Sequence, residues 1–469
     1  MQRPRATREL NQTWLVATAG LAGSAVAGAL WSVALVPVQL VLAATVTLLV
    51  ALLVLVSQRG RLNSASLLLT VLGLVGLASI YRDVPLGPFS GLAVLSIVVA
   101  GAAGATILAG GIGRARYVRT LWPLYAFMAW TAVTSLINPP TVDGLQNLIV
   151  MAAFLAVIVV SANAESGGDG VGARLGSALG WAVWAAAAVF LAEEMARASG
   201  QWAGIGARGF ALLALVGLSW QLARWRSGRR TAAILAAVLI GLIAFSLSRT
   251  ALATALVLVG LCQVRPTGHL RSGRPLLLWG LAALMLLGAI QLVEPLRARF
   301  FQGDVTFSVG GVTINGMGRS RLWSATFDSY RQSPWIGKGA GSAGALIYAL
   351  YPPLEHPHND YLRLLHDYGP LGLLLWTLGI WNLARGSYRR WRQTAPVDPR
   401  AAQLHLAALL ALAAIAATMI TDNVVSYLFV MVPAGALAGV SLSTGRGFAE
   451  TRQAEAIPES QGNTEAVTP

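Results

Sequence analysis

The sequence predicts an all-α, polytopic integral membrane protein of about 12–14 transmembrane helices, with one large external loop that itself contains short helices. Three observations predict it. The composition is 56% hydrophobic and only 11% charged, where a soluble chain carries roughly 25% charged residues. Apolar runs of about 17–23 residues, the length that crosses a bilayer core, recur from residue 13 to residue 442. The basic residues gather in alternate turns between those runs, as membrane orientation requires.

The runs fall at 13–35, 37–57, 66–81, 90–112, 120–137, 145–162, 176–194, 205–222, 231–248, 250–264, 276–293, 369–384, 402–420 and 425–442. A few are short enough to be re-entrant. The first is followed at once by the second, with no small-residue cleavage site after a short apolar core, so it reads as an anchor and not as a removed signal peptide. Cys262 is the only cysteine and lies inside an apolar run, which rules out a disulfide framework. The tail beyond about residue 450 is polar and reads as disordered.

A net charge of +15 could suit nucleic acid, but its distribution argues against that partner. With the N-terminal Arg3, Arg5 and Arg8 placed in the cytoplasm, 23 of the 34 basic residues fall on that side, among them the cluster Arg224, Arg226, Arg229 and Arg230 and the run from Arg385 to Arg400. Both termini come out cytoplasmic, and the charge chiefly sets orientation. Eleven basic residues break the rule: Arg82, Arg197, Arg208, Arg249, Arg297, Arg299, Arg319, Arg321, Arg331, Lys338 and Arg363, seven of them between 297 and 363.

That cluster coincides with the one long connection. The expected organisation is a transmembrane region over 1–293, a large loop over 294–368 on the side opposite the basic turns, C-terminal transmembrane helices over 369–442 and a cytoplasmic tail over 443–469. A long ordered loop between spans is uncommon unless it has a task. Within it, "DVTFSVGGVTING" (304–316) alternates around Gly-Gly and predicts a β-hairpin. "SRLWSATFDSYRQ" (320–332) predicts an amphipathic helix with Leu322, Ala325 and Ser329 on one stripe. "SPWIGKGAGSAG" (333–344) reads as a loop of glycine turns; it lacks the Walker spacing that would make it a phosphate cradle. "NDYLRLLHDYG" predicts a second short helix, leading through Gly369-Pro370 into the next span.

The polar groups on that face are rich in arginine and poor in paired carboxylates. An arginine fork suits phosphate and keeps its charge; beside histidines at a membrane surface it points to a phosphorylated lipid substrate and a proton acceptor. Arg249 sits at a very tight turn in "FSLSRTALATALV", either snorkelling to headgroups or aimed inward at an anion. Three of the five histidines lie in "HPHNDYLRLLH" (356–366). A metal site would want HxxxH or HExxH on one helix face, and neither occurs; no metal and no cofactor are expected. If a helix starts near Pro357, His358 lies in its first turn, where the helix dipole keeps an imidazole neutral and able to accept a hydroxyl proton. His366 reads as a helix residue bonded to a neighbour, and Arg363, four residues after Asn359 and four before Asp367, as a partner in a local salt bridge.

The order "SRTAL…RSRLW…SPWIGKGAGS…HPHNDYLRLLHDYGPLGLLL" resembles the O-antigen ligase and polymerase superfamily of bacterial membrane glycosyltransferases, over roughly residues 230–385. The resemblance implies a metal-independent enzyme of the bacterial inner membrane. It would take a glycan from undecaprenyl diphosphate at the periplasmic face and transfer it to a hydroxyl, in lipopolysaccharide or other polysaccharide biosynthesis. It implies His358 as the residue that activates the acceptor, and Arg249 and Arg321 as the diphosphate-holding arginines. Arg319, Arg363, Lys338, Asn359 and His356 are the accompanying substrate-binding candidates. A single dominant external loop leans toward ligase chemistry, with lipid A-core as acceptor. The alternative within the superfamily is a polymerase whose acceptor is a second lipid-linked glycan. A transporter or flippase for a charged lipid is the reading from another class, though neither paired discontinuous helices nor internal repeats are evident.

Overall fold

In the computed structural model, residues 118–164, 171–197, 206–266 and 318–444 are described, together with short pieces at 85–86, 89–90, 96, 99–100, 305–309 and 312–315. The expected spans at 13–35, 37–57, 66–81 and 276–293, most of 90–112, and the tail lie outside these residues.

The described residues are dominated by helices. In chain order they are α1 (Val118–Ile137), α2 (Val142–Ala164), α3 (Val171–Arg197), α4 (Ala207–Arg226), α5 (Arg230–Phe245) and α6 (Arg249–Cys262). Beyond the loop follow α7 (Arg319–Tyr330), α8 (Ser342–Leu350), α9 (Asp360–Thr394), α10 (Pro399–Thr418) and α11 (Leu428–Ser443). Two small antiparallel ladders accompany them, β1 (Pro85–Leu86) with β2 (Phe89–Ser90) and β3 (Val305–Val309) with β4 (Val312–Asn315). The second is the hairpin that the Gly-Gly alternation predicts. Within the described residues, α1, α2, α3 and α10 are long and apolar enough to cross a membrane, and α5, α6 and α11 are shorter apolar helices. The protein is a polytopic, helical integral membrane protein.

Packing follows from where small residues fall. All of α11 from Leu428 to Leu442 is buried, enclosed chiefly by α2 and α10. Without a hydrophobic drive between helices in lipid, small residues that let backbones meet decide such contacts. Gly435 and Gly439 do so here: a Cβ at Gly439 would run into the Ile158 carbonyl of α2, and one at Gly435 into Phe154. Phe154 and Phe127 in turn meet Trp376 of α9.

The helix α9 is two helical segments joined across a kink at Gly369 (φ 69°, ψ −177°), immediately before Pro370. Pro370 has no N–H, so the His366 carbonyl loses its helical donor, and the kink removes the next ones. Those carbonyls are filled from elsewhere. The Lys338 N–H donates to His366 O and the Gly339 N–H to Asp367 O, both at 2.9 Å, and the Trp130 indole donates to Tyr368 O at 2.8 Å. The glycine-rich segment is therefore a packed clamp on the kink. Its Lys338, Gly339, Gly341 and Ala343 N–H groups are all engaged by α9. Its last part is also helical: α8 begins at Ser342, inside the segment expected to be loop. On α7 the buried stripe is Leu322, Thr326 and Ser329, with Thr326 in place of the expected Ala325; steps of four and three residues keep those three on one face.

Candidate active site

Five chain segments converge at one end of the bundle, opposite the end that carries Arg224, Arg226 and Arg392. They are the start of α4, the α5–α6 turn, the start of α7, the loop 351–359 before α9, and the α10–α11 connector 419–427. The α5–α6 turn is only three residues long. Ser246 Oγ donates to Ile243 O at 2.6 Å and accepts from the Ser248 N–H at 3.3 Å, and Leu247 is held in the left-handed region (φ 56°). This places Arg249 at the first position of α6. The connector is stitched to both neighbours. Thr421 meets Thr250 of α6 at 2.7 Å, the Asp360 N–H donates to Met419 O, and Asp360 Oδ2 accepts from the Val425 N–H, each at 2.8 Å. The Trp323 indole of α7 donates to Pro357 O at 2.9 Å, fixing the loop that carries His358.

The segments enclose a small cleft of about 70 Å³, lined by Arg208, Arg249, Arg319, Asp422 and the serines of the α5–α6 turn. Three guanidinium groups against one carboxylate leave it positive, and planar forks of donors favour phosphate oxygens. His358 borders this cluster. Its Nδ1 lies 3.3 Å from Arg208 Nη1, and Arg208 Nε lies 3.7 Å from the almost fully buried Asp422. A guanidinium donates only, so Nδ1 accepts and the ring is the neutral Nε2–H tautomer. Burial, then the charges of Arg208 and Arg319, depress the His358 pKa to about 3, against the opposing influence of Asn423. His358 also takes a left-handed backbone (φ 53°). Outliers of this kind cost about 1–3 kcal/mol and concentrate at functional sites; two lie here, at Leu247 and His358.

The structure corrects the expected cause of the neutral imidazole. Helix α9 starts at Asp360, not at Pro357, and its N-cap is Asn359, whose side chain accepts from the Leu362 N–H at 2.9 Å. His358 thus precedes the helix, and desolvation and arginines act where the dipole was expected to. The same hydrogen bond commits the Asn359 carboxamide oxygen to capping.

The remaining candidates separate clearly. Arg249 and Arg319 line the cleft. Arg321 does not: it is exposed on α7. Residues two apart on a helix lie on nearly opposite faces, so Arg319 and Arg321 cannot both point inward. Arg363 is buried against Asp360 at 2.9 Å, a local ion pair with a partner other than the two expected. Lys338 Nζ donates to Ser329 Oγ at 2.9 Å and Gln332 Oε1 at 3.0 Å, tying the clamp to α7 and away from the cleft. His356 is half-buried with its ring beside Gly344 of α8. His366 is buried with Asp367, Ser342 and Ser329 around it, as its structural reading requires.

Two contributors were not assigned to the site from sequence. Arg208 stood out as a charge on the wrong side of the orientation rule, and that signal was enough to suspect it. The Thr421-Asp422-Asn423 connector carries no basic residue and no motif, and only its packing reveals it. Asn423 is buried beside His358, and its side chain bonds to the ring in the sense that favours the charged imidazole.

Residues 233–377 match the family model described as O-antigen ligase. That segment takes in Arg249, Arg319, His358 and the kinked start of α9. No curated protein matches the chain.

Proposed function

We propose, for a chain that residues 233–377 place in the O-antigen ligase/polymerase superfamily, that it is the ligase: it transfers a glycan from undecaprenyl diphosphate to a hydroxyl of lipid A-core. The family is one of membrane glycosyltransferases; donor, acceptor and reaction side are our reading. The observation that supports it best is a neutral His358 seated against the arginine-lined cleft of Arg208, Arg249 and Arg319.

In this reading the donor diphosphate occupies the cleft. The acceptor oxygen attacks the anomeric carbon of the reducing-end sugar. The bond from that carbon to the diphosphate oxygen breaks as the new glycosidic bond forms. His358 takes the hydroxyl proton, and the guanidinium groups neutralise the charge that develops on the departing diphosphate. The chain's own cations thus supply the charge stabilisation. In this reading the cleft end of the bundle faces the periplasm, and the opposite basic end and both termini face the cytoplasm.

The test is to incubate the purified full-length protein with an undecaprenyl-diphosphate-linked glycan and either lipid A-core or a second lipid-linked unit. Glycosylated lipid A-core is the expected product. Elongated lipid-linked glycan alone would make the protein a polymerase, and donor movement across a vesicle membrane without new bonds would make it a transporter.

A further inference from the structure

We infer that the donor's diphosphate switches on the base: Arg208 covers the His358 lone pair, and a diphosphate in the cleft draws that guanidinium away, so acceptor activation follows donor binding. This rests on the function proposed above and adds an order to it.

The geometry is specific. A neutral imidazole has one lone pair able to take a proton, and its N–H nitrogen offers none. In His358 that lone pair is on Nδ1, where the Arg208 Nη1–H is directed at 3.3 Å. A hydroxyl cannot pass its proton to a nitrogen so occupied. The covering group is a poor partner for it. Against a neutral imidazole the guanidinium makes one bond to a lone pair; against a phosphate both partners are charged and two parallel contacts form. Arg208 already lines the cleft in which Arg249 and Arg319 would receive the diphosphate. Its side chain is 38% exposed and able to move, whereas its other partner, Asp422, is 1% exposed and held by the connector. When Arg208 turns toward an anion, the lone pair opens on the side of the cleft, where the leaving group lies.

Electrostatics act in the same direction. The charged groups facing the ring are Arg208 from α4 and Arg319 from α7, with Asp422 reaching it only through Arg208; Asn423 from the connector is uncharged. Both cations oppose an imidazolium. A bound diphosphate neutralises both, so the proton affinity of the ring rises as its lone pair is exposed. Asn423, whose side chain already bonds to the ring and favours its charged form, stays in place to support the imidazolium once it forms.

The experiment is a pH titration of the His358 ring by NMR in full-length, histidine-labelled protein in detergent, with the resonance assigned by its loss in His358→Gln. It is run alone, with undecaprenyl diphosphate and with inorganic diphosphate. The His358 midpoint is expected to rise by at least about one pH unit, tenfold in proton affinity, with undecaprenyl diphosphate. It is expected to rise without ligand in Arg208→Gln. If that variant does not assemble, Arg208→Lys is read in its place, with a smaller rise. A rise with inorganic diphosphate as well means the headgroup suffices; a rise with the lipid alone means the chain is needed to place it. Undecaprenyl diphosphate that binds by calorimetry yet leaves the midpoint unmoved overturns the release and leaves the proposed function standing. Failure of undecaprenyl diphosphate and of inorganic diphosphate alike to bind overturns both.

Discussion

His358 and His366 stand eight residues apart in one motif, in opposite surroundings. Both nitrogens of His366 are occupied. Nδ1 lies 3.1 Å from Asp367 Oδ1 and Ser342 Oγ, and Nε2 lies 3.1 Å from Ser329 Oγ. Asp367 in turn accepts from the Gly341 and Ala343 N–H groups and the Ser342 hydroxyl at 2.9–3.0 Å. Nothing in that cluster is left to offer a substrate; it fastens α7, the glycine clamp and α9 together. Around His358 the chain is strained, and the ring faces two cations across the cleft's edge. Backbone outliers concentrate at functional sites. Residue type was equal in the two places; the surrounding charge and backbone strain separate them.

The largest expected effect breaks the comparison open. His358→Gln should lower transfer by ~10²–10⁴-fold, the usual worth of a general base, with the protein still assembled in the membrane. His366→Gln should do the reverse, lowering the thermal midpoint while folded molecules keep transferring. Loss of transfer in a well-folded His366→Gln sample would make the two histidines one site.

Within the cleft, Arg249→Ala and Arg319→Ala should each cost about 10²-fold in transfer, on the scale of removing one preorganised charge-stabilising donor. Arg321→Ala, on the exposed face of α7, should stay near the parent activity. Arg321→Ala falling as far as Arg319→Ala would mean that α7 turns when the substrate binds. Lysine at 249 or 319 should rescue poorly, because a point charge does not reproduce the fork.

In the satisfied cluster, Asp367→Asn replaces an acceptor that serves several donors. It should destabilise by ~1–3 kcal/mol, the cost of leaving buried donors unpaired, read as a lower thermal midpoint in detergent. An unchanged midpoint would show that the clamp holds without it.

The smallest effect concerns pH. The folded-state pKa of His358, about 3, lies below its ordinary 6.5. Between those values the unfolded chain binds a proton that the folded protein refuses, so stability falls as pH drops through 6.5 and the loss is complete near 3. His358→Gln lacks this slope. The variant's thermal midpoint should rise relative to the parent's on acidification from pH 7 to pH 4; an unchanged offset would mean that the ring is not held neutral.

How much of this was legible in advance varies residue by residue. The apolar runs foretold α1 to α6, α10 and α11 because period and length suffice for a helix in lipid. The hairpin at 305–315 followed from alternation around Gly-Gly, and the break in α9 from Gly369-Pro370. Arg249 was legible as a cation between two apolar runs. Arg208 was visible by the same logic but had no motif to join it to the site. Arg321 was preferred over Arg319 through resemblance, and only the rotation of α7 reverses that preference. The α9 boundary was displaced because Pro357 suits a helix start, while Asn359 supplies the actual cap.

The sequence by itself determined that this chain lives in the membrane as helices, that it carries excess arginine on the face opposite its basic turns, and that a histidine motif precedes a kinked span. Those are properties of composition, period and short motifs, which act locally. Only the tertiary structure decided which arginines gather in a cleft beside His358, that Asp422 lines it, and that Lys338, Arg363 and Asn359 hold the chain. Each of those facts depends on segments far apart in sequence meeting with a particular rotation, and no local pattern records the angle at which one helix face meets another.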